Sequence, residues 1–341
     1  PWRFQALVPL RYASLSQRPD FWTRVRRDGY MATSLSDSAL SPTLPSTGSR
    51  RRRRRETLTA WSFILPAVIG LGIFVYGALV YSLYISFTSW DLLTPAKWVG
   101  LANYARLFRD ESFHQCMYNT LYFVVAIVPA GIALAMAMAV ALNRPLKGVA
   151  FFRAAYYMPS ITSTVAIGLV WLWIFNPDQG ILNTILRALG ATNPPRWLES
   201  MRWAKLGLSI MRLWQVSGYY MIMYLAGLQN IPKELYEAAE TDGATPWQKT
   251  RHITVPLLSN TTFFATVMLL IEVFNLFEAV YVMTEGRPGG STNTVLYYIY
   301  TEAFQSYRMG YASAIAWVLF VILFVATLVQ FLVRRRNEQV G

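Results

Sequence analysis

The apolar positions of the chain gather into six long runs separated by polar stretches: Ala60 to Phe87, Thr120 to Leu142, Ala154 to Phe175, Leu206 to Gln229, Phe263 to Thr284 and Gly310 to Val333. Each is close to the ~20 residues that a helix needs to cross the hydrocarbon of a bilayer. None alternates over its length as the strands of a membrane barrel would. The pattern therefore predicts an all-α membrane protein with six transmembrane helices. Four of the runs contain no Asp, Glu, Lys or Arg, whereas the fourth carries Arg212 and the fifth carries Glu272 and Glu278. Pro66, Pro129 and Pro159 fall in or at the starts of runs, where neighbouring helices can satisfy the carbonyls that proline frees.

Composition agrees with lipid as the main solvent. Of 341 residues, 54% are hydrophobic and only 14% are charged, against about 25% charged in soluble domains. The single cysteine, Cys116, excludes an intramolecular disulfide, and no CxxC pair is present. His114 and His252 are far apart and lie in no ligand spacing, so no metal site and no catalytic centre are expected.

The net charge of +13 takes its meaning from where it sits. Of 31 basic residues, 21 lie in the segment before the first run, the loops 143–153 and 230–262, and the tail after Val333, while the other three loops hold 9. By the positive-inside rule both termini are cytoplasmic. The charge thus reads as topology and contact with membrane lipid, with no nucleic-acid partner. Residues 1–59 read as a mobile, basic cytoplasmic segment: Ser, Pro, Thr and Arg dominate from Met31 to Arg50, and six arginines, Arg50 to Arg55, precede the first run. Without a cleavage site before it, that run reads as an uncleaved anchor. Residues 60–335 form the transmembrane domain and 336–341 a cytoplasmic tail.

The loop 231–258 is patterned beyond what a connector needs. Pro232 opens a good helix-forming stretch that Asp242-Gly243 ends, and a second short helix from Thr245-Pro246 runs to a break at Pro256. Leu235, Ala238 and Ala239 lie on one side with charges on the other, which suits docking into a groove on a partner.

At this loop the chain resembles the permease subunits of binding-protein-dependent ABC importers. Glu237-Ala238-Ala239, three further residues, Gly243, then Ile253 and Pro256 match the family's EAA motif, with Val255-Pro256 replacing the usual Leu-Pro. The surrounding Tyr236-Glu-Ala-Ala and Asp242-Gly-Ala-Thr-Pro are similar to the carbohydrate branch, which includes maltose, lactose and glycerol-3-phosphate permeases. Agreement extends to Val99-Gly-Leu-Ala-Asn-Tyr104, Phe152-Arg-Ala-Ala-Tyr-Tyr-Met-Pro159, Asn176-Pro-Asp-Gln-Gly-Ile-Leu-Asn183 and Thr284-Glu-Gly-Arg-Pro-Gly-Gly-Ser291, covering roughly residues 60–335.

The resemblance implies a type I importer permease fold in a bacterial or archaeal cytoplasmic membrane. It further implies a second homologous permease subunit, two cytoplasmic ATPase subunits, an extracytoplasmic solute-binding protein and a sugar cargo. In that family the loop sits in a cleft of the ATPase, so that Glu237, Ala238, Ala239, Asp242, Gly243 and Pro256 would couple ATP hydrolysis to the transmembrane helices. The chain has no GxxxxGK[ST] phosphate loop, so it holds no cofactor of its own, and ATP with Mg is bound by the partner.

Ionisable groups at membrane depth mark functional sites. Arg212, Gln215 and Tyr219 share a face of one helix, and Glu272 and Asn275 share a face of another. Counting from the inner ends pairs Arg212 with Glu278, Gln215 with Asn275 and Tyr219 with Glu272. Gln215, Tyr219, Glu272, Asn275 and Arg212 are thus the expected substrate path, with Trp214 and Phe274 as aromatic surfaces for a sugar ring. An ion pair between Arg212 and a glutamate that merely ties helices together is the competing reading. The competing function is an ion-coupled secondary transporter using Glu272 or Glu278, against which the loop and the lack of an inverted repeat argue.

Overall fold

The computed structural model describes residues 47–144 and 147–340. The chain divides into one unit that ends at Ile73 and another that starts at Phe74. Most of the expected N-terminal segment, up to residue 46, lies outside the described residues. From Thr47 the backbone is helical (α1, Thr47–Gly70), so the arginine run lies on the helix that leads into the first apolar run. After a wider π-helical stretch, Leu71–Gly77, the path continues as α2, Ala78–Ser86.

The second unit contains α3 (Ala102–Leu107), α4 (Glu111–Leu142), α5 (Val149–Ile161), α6 (Thr164–Ile174), α7 (Ile181–Ala188) and α8 (Met201–Gln229). It continues with α9 (Lys233–Thr241), α10 (Pro246–Lys249), α11 (Val255–Leu257), α12 (Ser259–Phe274), α13 (Glu278–Met283), α14 (Val295–Tyr300) and α15 (Met309–Val340). A two-residue antiparallel ribbon, Thr88–Ser89 with Lys97–Trp98, is the sheet among the described residues.

Every apolar run is helical, but among the described residues only Arg55–Ser86, Glu111–Leu142 and Met309–Arg335 are single helical stretches long and apolar enough to cross a membrane. Two bent pairs raise the number to five: α5 with α6 at 101°, and Pro246–Leu257 with α12 at 67°. Helix α8 has the length but is not among them. The expectation of a continuous third run is thus corrected. Thr162 and Ser163 are extended, and the hydroxyls of Ser160 and Thr162 donate to the carbonyls of Tyr157 (2.6 Å) and Met158 (2.9 Å), satisfying groups that a helix end leaves free. The fifth run is broken as well. It stops at Phe274 and resumes at Glu278, and Thr294 Oγ1 donates to the freed Leu276 carbonyl at 2.7 Å.

Direction of travel follows from side-chain neighbours. Lys205 lies over the rings of Tyr118 and Tyr122, and Gly131 faces Leu213, so α4 and α8 run side by side in one direction. Helix α15 starts beside the start of α4, with Arg106 over the Tyr311 ring, and ends with Arg334 Nη2 donating to Asn260 Oδ1 at the start of α12 (2.8 Å). The loop after α4, the loop 231–258 and the end of α15 therefore share one end of this unit. At the other end Asp110 caps α4 through the N–H of Ser112 (3.0 Å) and Phe113 (3.4 Å). It also accepts the hydroxyls of Tyr298 (2.6 Å) and Tyr311 (2.5 Å). Burial pushes this carboxyl up, and those hydroxyls and N–H groups outweigh it, holding it below the usual carboxylate value.

The short motifs around the runs fix loops. Asn103 donates to the carbonyls of Ser86 and Thr88 (2.8 and 2.9 Å), and Asn183 donates to Pro177 and Pro195 while accepting from Trp197 Nε1 (2.8 Å). Helix α8 packs along α4 and α5, and Gly218 lets α5 approach so closely that a Cβ there would overlap the Tyr156 carbonyl. Because backbone cannot yield as a side chain can, Gly218→Ala is expected to cost about 1–3 kcal/mol. Thermal unfolding of the detergent-purified protein checks this, with Gly70→Ala, where the added methyl meets open space, leaving stability unchanged or raised.

Candidate functional site

A cavity of about 420 Å³ lies where α8, α12 and the break between α5 and α6 meet. Ser160, Thr162 and Thr164 come from the break, Arg212, Gln215, Tyr219 and Tyr220 from α8, and Met268, Ile271 and Glu272 from α12. A chain of hydrogen bonds crosses it. Arg212 Nη2 meets Glu272 Oε1 at 2.5 Å, and Arg212 Nη1 donates to Gln215 Oε1 at 2.6 Å. Gln215 Nε2 donates to Thr164 Oγ1 at 3.1 Å, and the Tyr220 hydroxyl to Glu272 Oε2 at 3.0 Å. The Arg212 side chain is 11% exposed and that of Glu272 is 39% exposed.

Of the residues expected in the substrate path, Arg212, Gln215, Tyr219 and Glu272 come together here. Asn275 does not: it follows the last turn of α12, exposed and outside the cavity wall. The pairing inferred from depth is also corrected, since Arg212 meets Glu272 while Glu278 is exposed at the start of α13. The physical reason is the register. Helix α12 starts at Ser259 rather than Phe263, and the break after Phe274 ends the regular rise of about 1.5 Å per residue. At the base of the pair, Gly227 faces Leu258 and Thr261, and Tyr224 donates to Thr262 Oγ1 at 3.0 Å.

The aromatic surfaces differ from expectation too. Phe274 is core, 3% exposed, and Trp214, though 44% exposed and edge-on to Trp171 with centroids 5.6 Å apart, lies outside the cavity wall, so the exposed ring at the cavity is Tyr219. Sequence reasoning missed Tyr220 and the hydroxyls of residues 160–164. Tyr220 stands eight residues after Arg212 and so falls on the same stripe of α8, a signal that was available. The run Ser160-Ile-Thr-Ser-Thr164 directly after Pro159 was the other.

The loop 231–258 is an exposed helical hairpin. Helix α9 ends at a turn in which Gly243 adopts φ +76°, Gly243 N–H donates to Glu240 O (3.0 Å) and Ala244 N–H to Ala239 O (2.9 Å). Thr245 and Gln248 then cap α10 reciprocally. A π-helical turn, Thr250–Thr254, carries the helix on into α11, so Pro256 lies within it and the break falls at Leu258, not at Pro256. Lys249 with Glu240 (2.5 Å) and Tyr236 with Thr254 (2.9 Å) hold the arms together. Glu237, Ala238, Asp242, Gly243 and Pro256 are exposed and Ala239 is half-buried. Trp247 is 70% exposed, and Leu235 and Leu257 are also bare. A hollow of about 360 Å³ between the arms is lined by Ala239, Asp242, Gly243, His252 and Ile253, among others.

Residues 127–339 match the family described as binding-protein-dependent transport system inner membrane component. The chain is 39% identical to the probable ABC transporter permease protein YesP of Bacillus subtilis (strain 168), over 82% of this chain and 92% of that one. It is 33% identical to the lactose transport system permease protein LacF of Rhizobium radiobacter, over 86% of this chain and all of that one. Its fold matches a chain of the bacterial ABC transporter involved in import of the acidic polysaccharide alginate, with a TM-score of 0.75 and 24% identity over 84% of this chain and 99% of that one. Ion-coupled secondary transport is not favoured by these likenesses.

The ion pair makes a measurable claim. Arg212→Met leaves Glu272 without its counter-charge, and a loss of about 1–3 kcal/mol is expected, less than for a fully buried pair because Glu272 is partly exposed. Adding Glu272→Leu is expected to restore most of it. Thermal unfolding of the two single variants and the double variant gives the coupling, which vanishes if the pair is not formed.

Proposed function

The chain belongs to the family of inner membrane components of binding-protein-dependent transport systems, and from that premise we propose that it forms half of the translocation path for a sugar or oligosaccharide in an ATP-driven importer. It is a transport subunit. ATP and Mg are bound by two cytoplasmic ATPase subunits, a second permease subunit completes the path, and an extracytoplasmic solute-binding protein delivers the cargo. The lactose permease among its relatives supports a sugar as cargo.

The observation that carries this reading is the cavity itself: about 420 Å³, with polar groups set in a largely apolar wall, and placed between α8 and α12, the two helices to which the exposed hairpin is joined. Its amide, hydroxyl and carboxylate groups with one exposed tyrosine ring suit hydrogen bonding to sugar hydroxyls and contact with a ring face. Arg212, Gln215, Tyr219 and Glu272 line the path, and Asn275 falls outside it. The hairpin, with Glu237, Ala238, Ala239, Asp242, Gly243 and Pro256 on or near its exposed surface, docks in a cleft of the ATPase.

Orientation follows from charge. The loop after α4, the hairpin and the C-terminal end of α15 share one end of the unit, and the basic residues of those segments set that end in the cytoplasm. The positive-inside rule sets the arginine run in the cytoplasm as well. With α8 counted beside the three single helices and two bent pairs, the proposed topology is a multi-pass protein of the cytoplasmic membrane with six spans and both termini inside.

Gly243 gives the test. Nothing stands within 4 Å of a Cβ there, so an added Cβ meets no clash. The cost is in the backbone, about 1–2 kcal/mol for an L residue with a branched Cβ held left-handed. Gly243→Val is therefore expected to leave the ATPase active but to cut sugar uptake per ATP hydrolysed severalfold in proteoliposomes, whereas Gly243→Asn, which tolerates the turn, retains most of it. Unchanged coupling in Gly243→Val contradicts the docking role.

A further inference from the structure

We infer that the cavity takes an uncharged saccharide and turns away uronic or sulfonated ones. This rests on the saccharide path proposed above and concerns only the charge of what it carries. Among the described residues Arg212 is the cation of the cavity wall, and its charge is already paired; its Nε has no partner but is buried away from the cargo. One nitrogen meets the Glu272 carboxylate at 2.5 Å, a second meets Gln215 at 2.6 Å, and the side chain is only 11% exposed. The wall therefore carries no net charge and offers no free cation to an anionic cargo.

What the cargo meets is the carboxylate. Glu272 is the more open partner, and its Oε2, bonded to Tyr220 at 3.0 Å, keeps acceptor capacity for a sugar hydroxyl. A cargo carboxylate or sulfonate placed here would stand against a like charge in a half-buried site, where water screens it less than at an open surface. It could reach Arg212 only by expelling Glu272. The remaining polar wall, Thr164, Gln215 and the half-exposed Tyr219, donates and accepts without charge.

The test uses the complete importer, purified in detergent with its partner subunits, and the tryptophan emission of Trp214, next in the chain to the cavity residue Gln215, and of Trp171 packed against it, with Trp214→Phe as the control for signal origin. Two probe sets of matched length are titrated: neutral malto-, cello- and galacto-oligosaccharides, and acidic oligogalacturonates and oligomannuronates. The wild type is expected to respond to a member of the neutral set and to bind the acidic set at least about tenfold more weakly, the order of one charged interaction lost. Glu272→Gln keeps the shape, frees the positive charge, and is expected to close or reverse that gap. Acidic probes bound by the wild type as tightly as neutral ones overturn the charge inference and leave the saccharide path standing. Silence toward both sets, in the wild type and in the variant, overturns the saccharide path itself. The wild-type comparison decides the matter even where the variant does not assemble.

Discussion

A guanidinium set among apolar helices must find its counter-charge and its hydrogen bonds inside the bundle. Arg212 finds its counter-charge in Glu272 and a further acceptor in Gln215, leaving only its buried Nε without a partner, and most of the site can be traced from that requirement. Gln215, turned toward Arg212, reaches Thr164 with its amide nitrogen and so fixes the start of α6. Glu272, turned toward Arg212, accepts Tyr220 on its other oxygen. An apolar pair of similar volume would hold α8 and α12 together as well or better, because burying charges costs desolvation. The pair therefore makes more sense as the source of a polar wall in an apolar bundle than as a strut.

The same helices connect the wall to the hairpin. Helix α8 ends at Gln229 and α12 begins at Ser259, so the two arms of the loop join them through short connections, the second bent by 67° at Leu258. Close packing at the base, where Gly227 admits Leu258 and Thr261, and the Tyr224 to Thr262 bond one turn further, join the helices before they reach the ion pair. In the proposed importer a push on the hairpin would thus meet a packed pair of helices. On the opposite wall the break between α5 and α6 is locked by hydroxyls that cap its carbonyls and by the approach of Tyr156 to Gly218.

Much of this was legible in the sequence, for physical reasons that differ by element. The second and sixth apolar runs are helices because nothing in them competes with the helix, but only one end of each was legible. Leu142 and Met309 lie where expected, whereas α4 starts at Glu111 and α15 runs on to Val340, because the flanking polar residues also favour helix; α8 stops at Gln229 where the polar loop begins. The hairpin turn was visible because only a residue free of Cβ sits easily at φ +76°. The face Arg212, Gln215, Tyr219 was visible because helical period alone creates it. The breaks were not, since small polar residues such as Thr162 and Ser163 leave an apolar run looking continuous, and the stop at Asn275 carries no proline or glycine. With those breaks hidden, counting residues by depth had to pair Arg212 with the wrong glutamate and to leave Asn275 inside the cavity.

The central claim is that the cavity between α8 and α12 is the path of the saccharide. Cys116, the single cysteine, is buried, so introduced thiols can be read against a quiet background. Cysteines placed at Tyr219, Met268 and Asn275 of the complete importer in proteoliposomes would be challenged with a small water-soluble thiol reagent during ATP turnover, with and without saturating transported saccharide. The account predicts that the saccharide slows modification severalfold at positions 219 and 268 and leaves position 275 unaffected. Equal modification rates at 219 and 268 with and without saccharide, in an importer still transporting it, would contradict it.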